Sequence, residues 1–316
     1  MAVTVNAMTD QVMGSDTLPS HCKPVTLLGL NIINEGSFLP RVPANTPTFS
    51  YQPSLQGRMG VFAVTAGKAT RAWIVLLPET GVPDRVMIAI PPTIGQAADY
   101  YGPLGASNPL SVPLIRDYAA LINGMDPVEM DMRHGKVQAC YGSQILGSYR
   151  PMALLFPIRA LRDAGGIDGE LGPFVSDGAV VADTINALAD ATGGAFKANF
   201  VECFTHSNGI AAFNAFLQAI AGRFVVRNAI ALDPASAEPI ASGIAANVLQ
   251  HLSGQTGGIV NGRPVGNFEY WPFDRWKNEP DRDNAMRAFH GSHFDYLHNW
   301  AFPRHLLRFS IQMSQG

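Results

Sequence analysis

The chain has 316 residues, of which 47% are hydrophobic and only 15% charged, and its formal net charge is −3. That length suits one large folded domain with an ample core, and the balance excludes a disordered chain. The net charge supplies no basic face for nucleic acid, so small, neutral or apolar partners fit better than polyanions.

The cysteines, Cys22, Cys140 and Cys203, are too few for a disulfide framework, although one bridge between two of them stays open. Cys203, inside Phe200-Val201-Glu202-Cys203-Phe204, reads as a small buried apolar residue. The opening residues lack the basic n-region and continuous apolar core of a leader. The apolar run from Val25 to Ile33 is shorter than the roughly 20 residues a membrane span needs. A soluble, cytoplasmic protein without stable membrane insertion is expected. A processed secreted protein reads the same way, and the oligomeric state stays open.

In chain order, residues 1–24 read as a polar, irregular arm and 25–316 as a single α/β domain. Val61 to Val64 and Ala72 to Leu77 flank Ala66-Gly67-Lys68, which predicts an antiparallel hairpin with a slightly long loop. Val86 to Ile90 is a continuously apolar run stopped by Pro91-Pro92, the pattern of a strand buried on both faces. A helical stretch follows around Leu114 to Ile122, then another buried strand from Met152 to Ile158. Ser176 stands as the N-cap of a helix in which Val180, Val181, Thr184, Ile185 and Leu188 fall at helical spacing, stopped by Gly193-Gly194. The strand Phe196 to Phe204, the helix Ile210 to Ile220, the strand Val225 to Leu232 and a helix from Ile240 to Leu252 continue the alternation. Gly266 to Phe273 reads as a later strand and Phe294 to Leu307 as a helix broken at Pro303. This order predicts an α/β fold: a doubly wound, mostly parallel sheet with helices on both faces and an antiparallel hairpin at one edge. In such sheets the reactive groups gather at the carboxyl ends of the strands.

At one such end stands Thr205-His206-Ser207-Asn208-Gly209, followed at once by a helix. A nucleophile elbow needs a strand, a very sharp turn and a helix, with the serine strained at the apex. Short residues on either side let strand and helix pass closely, and the helix N-terminus faces the charge that develops on the substrate oxygen. The usual pattern is Gly-x-Ser-x-Gly, and Thr205 replaces its first glycine. A Ser-Asn-Gly turn also caps helices without any catalytic role.

Over about residues 58–310, element order and these short motifs resemble the α/β-hydrolase superfamily. The resemblance implies acyl transfer on Ser207, with the acid and then the histidine following it in the chain. Leu232-Asp233-Pro234-Ala235 resembles the acid segment of pancreatic-type lipases, which makes Asp233 the candidate acid; Asp274, after the later strand, is the alternative. Ser292-His293-Phe294 resembles the His-then-aromatic ending of many esterases, which makes His293 the candidate base; His290, three residues earlier, competes. An aspartate there fixes the imidazole tautomer and stabilises the imidazolium.

The resemblance also implies two N–H donors for the oxyanion. One is Asn208; the other comes from the loop after Val86 to Ile90. Proline has no N–H, so Thr93 is the first donor available, with Ile94 next. Tyr100, Tyr101, Phe268, Tyr270, Trp271, Phe273 and Trp276 are candidate walls of an acyl pocket, and 254–290 a candidate lid or cap.

No cofactor and no metal are expected, since no His, Cys, Asp and Glu cluster has ligand spacing. Gly165-Gly166-Ile167-Asp168-Gly169 lacks the spacing of a dinucleotide site. The expected function is hydrolysis of a small-molecule carboxylic ester, as in an esterase or lipase. The alternatives are an acyltransferase, thioesterase or amidase on the same triad, or a catalytically silent hydrolase fold that binds a ligand.

Overall fold

The computed structural model describes residues 2–14, 21–27, 30–32, 49–51, 55–92, 108–123, 141–148, 152–160, 170–234, 239–251, 258–261, 263–265 and 307. The strands are β1 (Val3–Ala7), β2 (Lys23–Leu27), β3 (Leu30–Ile32), β4 (Phe49–Tyr51), β5 (Leu55–Ala66), β6 (Ala69–Pro78) and β7 (Arg85–Ile90). They continue with β8 (Ala153–Pro157), β9 (Phe200–His206), β10 (Val226–Leu232), β11 (Asn247–His251), β12 (Gly258–Val260) and β13 (Arg263–Val265). The helices are α1 (Thr9–Met13), α2 (Val112–Asn123), α3 (Tyr141–Leu146), α4 (Pro173–Ser176), α5 (Gly178–Ala191) and α6 (Ile210–Ile220).

Eleven of the described strands form one mixed sheet, in the order β1-β5-β6-β8-β7-β9-β10-β11-β12-β13 with β2 also on β5, and β3 and β4 pair separately. Strands β8, β7, β9, β10 and β11 are mutually parallel, and the flanking ones antiparallel. The hairpin of β5 and β6 is longer than expected, and its turn is tighter. Ala66 pairs with Ala69, leaving Gly67-Lys68 as a two-residue connection. Gly67 takes φ 61, the positive value that hairpin turns matching strand twist require.

Alternate residues of each central strand feed two cores. Met87, Ala89, Leu154, Phe156, Phe204 and Ile230 pack with α2 and α3; Val86, Ile88, Ile90, Val201 and Cys203 pack with α5 and α6. Helices therefore cover both faces. The chain steps from β7 outward to β8, then back past β7 to β9 and on to β10. Right-handed crossovers send connections of opposite direction to opposite faces, and in open α/β sheets ligands bind at the carboxyl ends of the strands where the order reverses, here β7 and β9.

At the other end of the sheet the same strands carry a buried polar chain. Arg85 Nη1 donates to Glu202 Oε1 at 3.1 Å, Asn228 Nδ2 to Glu202 Oε2 at 2.8 Å, and Asn247 Nδ2 to Asn228 Oδ1 at 3.1 Å. The Phe200 ring lies against both Arg85 and Arg227, 5.4 and 4.0 Å from the guanidinium carbons. Each link joins neighbouring strands, so a slip in register breaks it.

Several expectations need correction. The irregular stretch 1–24 contains β1, which pairs with β5 from Val3↔Ala66 to Ala7↔Phe62, and the short helix α1. The expected helix from Ile240 to Leu252 is instead a turn followed by β11: Gly243 takes φ 77, which interrupts a helix, and β10 offers a parallel edge. The cap of α5 is Asp177, whose carboxylate accepts from Ala179 N and Val180 N, while Ser176 ends α4 and donates to Gly172 O. A carboxylate at that position also meets the positive end of the helix. The strand expected from Phe196 to Phe204 runs Phe200–His206, so the helix start follows its end directly. Within 254–290 the described residues form β12 and β13, which extend the sheet. The expected strand Gly266 to Phe273 lies outside the described residues; of the expected last helix only Leu307, buried and helical, lies inside them. No described helix is long and apolar enough to cross a membrane.

Removing Glu202 leaves the Arg85 guanidinium buried and uncompensated, at 5% exposure. Glu202→Ala is expected to cost about 3 kcal/mol or more in urea unfolding, against about 1 kcal/mol for Asn247→Ala at the half-buried end of the chain. Equal, small shifts of both midpoints would show that the ion pair contributes no more than its outermost hydrogen bond.

Candidate active site

The carboxyl end of the parallel strands continues into short extensions of β7, β8, β9 and β10. Ile90 is in register with Thr205, His206 with Leu232, and Leu232 with His251. The residues immediately beyond, Pro91, Ser207 and Asp233, therefore line the same edge.

Ser207 sits at the apex between β9 and α6, opening a single 3-10 turn, Ser207–Gly209. His206 before it is extended, at φ −137, and Ser207 itself takes φ 54, in the left-handed region. A side chain with a Cβ is uncommon there and costs on the order of 1–3 kcal/mol, tolerated where the surroundings over-determine it. Here they do. Thr205 Oγ1, fully buried, donates to Ile90 O at 2.8 Å and ties the end of β9 to the end of β7. A Cβ on Gly209 would stand 2.2 Å from that hydroxyl oxygen, 2.7 Å from Ile90 O and 3.3 Å from Pro91 O. Helix and strand cross with no room for a side chain at 209. The threonine that broke the sequence pattern is thus part of the packing: its hydroxyl fills the gap a glycine would leave.

Asp233 is the next unusual backbone. It follows β10, is 5% exposed and takes φ 44, while its N–H donates to His251 O at 2.8 Å. Among the described residues the remaining non-glycine at positive φ is Asn261, at 49, a residue type that adopts this conformation readily. Its amide oxygen accepts from Val248 N in the turn between β12 and β13. Aspartate shares that tolerance, so Ser207 is the strained backbone of the three, and it stands with Asp233 at the ends of adjacent strands. Ser207 is half-buried, Asn208 exposed and Gly209 buried.

Of the residues singled out from sequence, the structure brings Ser207, Asn208 and Asp233 to one edge. Thr93, Ile94, Asp274, His290 and His293 lie outside the described residues, as do Tyr100, Tyr101 and the aromatic cluster from Phe268 to Trp276. Among the described residues no group of three or more His, Cys, Asp and Glu comes together as a metal site.

Three neighbours of the edge escaped the sequence reading. Arg159, just beyond β8, reaches Asn208; Glu170 holds Arg159; and the Tyr118 hydroxyl lies 2.8 Å from Pro92 O and 2.7 Å from Arg159 O. A charged residue at the tail of the buried run Met152 to Ile158 was the available signal for Arg159. Glu170 and Tyr118 are distant in sequence and carried none.

Two buried histidines flank Leu232 in register, His206 and His251. Burial lowers the His251 pKa to about 4 from 6.5, because the low-dielectric surroundings penalise the imidazolium.

No family model and no curated protein matches the chain. Among solved structures, the chain is similar to a proposed lipase from Sulfolobus solfataricus at 12% identity and a TM-score of 0.26, over 60% of this chain and 47% of that one. It is also similar to a glucuronoyl esterase from Solibacter usitatus at 18% identity and a TM-score of 0.31, over 60% of this chain and 53% of that one. The matched part spans about half the length of those proteins.

Two outcomes follow. Gly209→Ala is expected to lower stability by about 2 kcal/mol, because the buried, hydrogen-bonded Thr205 hydroxyl and the Ile90 carbonyl both block the new Cβ; a thermal melt like the wild type's removes the crowding argument. For His251 the unfolded chain takes up a proton below pH 6.5 that the folded chain refuses until about pH 4. Stability therefore falls as pH drops through that window, by up to about 3 kcal/mol from this group. In His251→Phe the slope of unfolding free energy against pH over the window should flatten; an unchanged slope excludes His251 as its source.

Proposed function

We propose that this chain is a serine hydrolase of α/β-hydrolase type that cleaves small carboxylic esters through an acyl-enzyme on Ser207. One observation carries the reading: a serine at φ 54, held at the apex between β9 and α6 where Thr205, Ile90 and Gly209 leave no space. A turn that merely started a helix would have no need of that conformation at that cost.

His293 takes the Ser207 proton as Oγ attacks the ester carbonyl carbon, and the carbonyl π pair moves to oxygen. The N–H groups of Asn208 and Thr93 hold that oxyanion. When it collapses, the C–O bond to the alcohol breaks and His293 returns the proton to the leaving oxygen. Water then repeats the sequence on the acyl-enzyme and frees the acid. Asp233 orients His293 and stabilises its charged form. Its place beyond β10, the strand next to β9, supports it over Asp274. His290 is the alternative base.

A fluorophosphonate that labels serine hydrolases tests the reading directly. Ser207 is expected to take the label, and Ser207→Ala to lose both label and turnover of p-nitrophenyl esters while melting like the wild type. No label on intact protein leaves a silent scaffold. Label without turnover of any chain length points to acyl transfer or to a thioester or amide substrate. His293→Ala should match Ser207→Ala; wild-type rates there move the base to His290.

A further inference from the structure

Beside the apex lies a guanidinium engaged on three sides. Arg159 Nε donates to Glu170 Oε2 at 2.6 Å and Nη2 to Oε1 at 3.2 Å, a side-on bidentate pair. Its third nitrogen, Nη1, donates to the main-chain oxygen of Asn208 at 3.1 Å and reaches the amide oxygen of the same residue at 3.4 Å. Asn208 is exposed, so solvent could satisfy both oxygens; the arginine instead fixes them together.

The clamp is itself anchored. The Glu170 main-chain oxygen accepts from Arg71 Nε at 2.6 Å and from Arg71 Nη2, and Arg71 belongs to β6 at 5% exposure. On its other side Arg159 is tied through its carbonyl to the Tyr118 hydroxyl, which also reaches Pro92 O. Tyr118 is fully buried on α2, its ring 5.7 Å from that of Phe156. Arg159 thus touches both segments that frame the apex. Its guanidinium holds the Asn208 carbonyl, one peptide beyond the Asn208 N–H, and its own carbonyl, through Tyr118, is linked to Pro92, the residue before Thr93.

A stabilising role alone accounts poorly for this. The Arg159 side chain is 12% exposed and the Glu170 side chain 40%, so solvent reaches the carboxylate and limits what the pair adds to stability. A planar fork that spans a carboxylate and two oxygens of one residue instead fixes orientation, which a lysine's point charge does not.

We propose that Arg159 is a positioning residue for the reaction at Ser207. Clamped by Glu170, it holds the Asn208 main chain so that the Asn208 N–H faces the oxyanion, and through Tyr118 it is tied to Pro92 beyond β7. The proposal rests on the serine-hydrolase reading above.

The test compares steady-state kinetics on p-nitrophenyl esters, the rate of fluorophosphonate labelling and thermal melts for the wild type, Arg159→Met, Arg159→Lys and Glu170→Gln. A misaligned oxyanion donor acts in the transition state, so Arg159→Met should lower kcat by about 100-fold with KM within about twofold. Labelling of Ser207 should slow in parallel and the melt should change little. Arg159→Lys should recover less than about tenfold of that loss, and Glu170→Gln should lower kcat by about tenfold. Wild-type kcat in Arg159→Met overturns the proposal, and so does a loss carried by KM alone, which makes Arg159 a substrate contact. If Arg159→Met does not fold, Glu170→Gln decides: a fall in kcat at unchanged KM supports the clamp, and an unchanged kcat overturns it. A wild type that takes up no label removes the hydrolase reading and this proposal together. A wild type that labels and turns over, beside an unaffected Arg159→Met, removes this proposal alone.

Discussion

The candidate site depends on the hydrogen bond from the Thr205 hydroxyl to the Ile90 carbonyl. It fastens the last turn of β9 to the end of β7 at the level where the sheet's connections diverge to opposite faces. With those two strand ends joined, α6 must leave so close to the sheet that only glycine fits at 209. The chain between them has two residues in which to reverse, and the backbone of Ser207 absorbs the difference. Strain at the serine is therefore a product of packing around it, sustained by parallel strands buried on both faces.

The two ends of the sheet are built on opposite principles. At one, Arg85, Glu202, Asn228 and Asn247 form a run of polar side chains in mutually satisfied pairs. At the other, Ser207 and Asp233 hold backbones that most residues avoid, with a buried, readily neutral His251 alongside. The first arrangement fixes which strand lies beside which and in what register. The second exploits that fixity, since strained apexes survive only where the strands beneath them cannot shift.

Much of the sheet was legible in the sequence because buried parallel strands are written as continuous apolar runs: Val86 to Ile90 and Met152 to Ile158 need no partner to be recognised. The apex was legible for a related reason, since Ser207 lies between such a run and an amphipathic helix. Where a strand carries polar residues the pattern misled. Asn247, Gln250 and His251 give β11 a mixed face, and Ile240, Ile244 and Val248 mimic a helical stripe across a turn at Gly243. The N-terminal strand was hidden similarly, because Val3 and Val5 alternate with polar residues over too few positions to stand out. Tyr118 was beyond local reading altogether, and of Arg159 only its charge at a strand tail was legible. Their meaning lies in carbonyls of Pro92 and Asn208, contributed by other strands' tails.

The N-terminal segment has a consequence for how this molecule lives among its own copies. β5 is 12 residues long, and its outer flank is covered in relay: β2 takes Leu55 to Met59, β1 takes Phe62 to Ala66. In the gap the Thr9 hydroxyl accepts from Val61 N at 3.0 Å and donates to His21 O at 2.7 Å, while Gly60 admits the backbone of His21 against the strand. A long ladder of exposed amides and carbonyls is the template by which sheets recruit foreign strands. β1, β2 and Thr9 cover that ladder along β5, which replaces one long edge with two strands of five residues each.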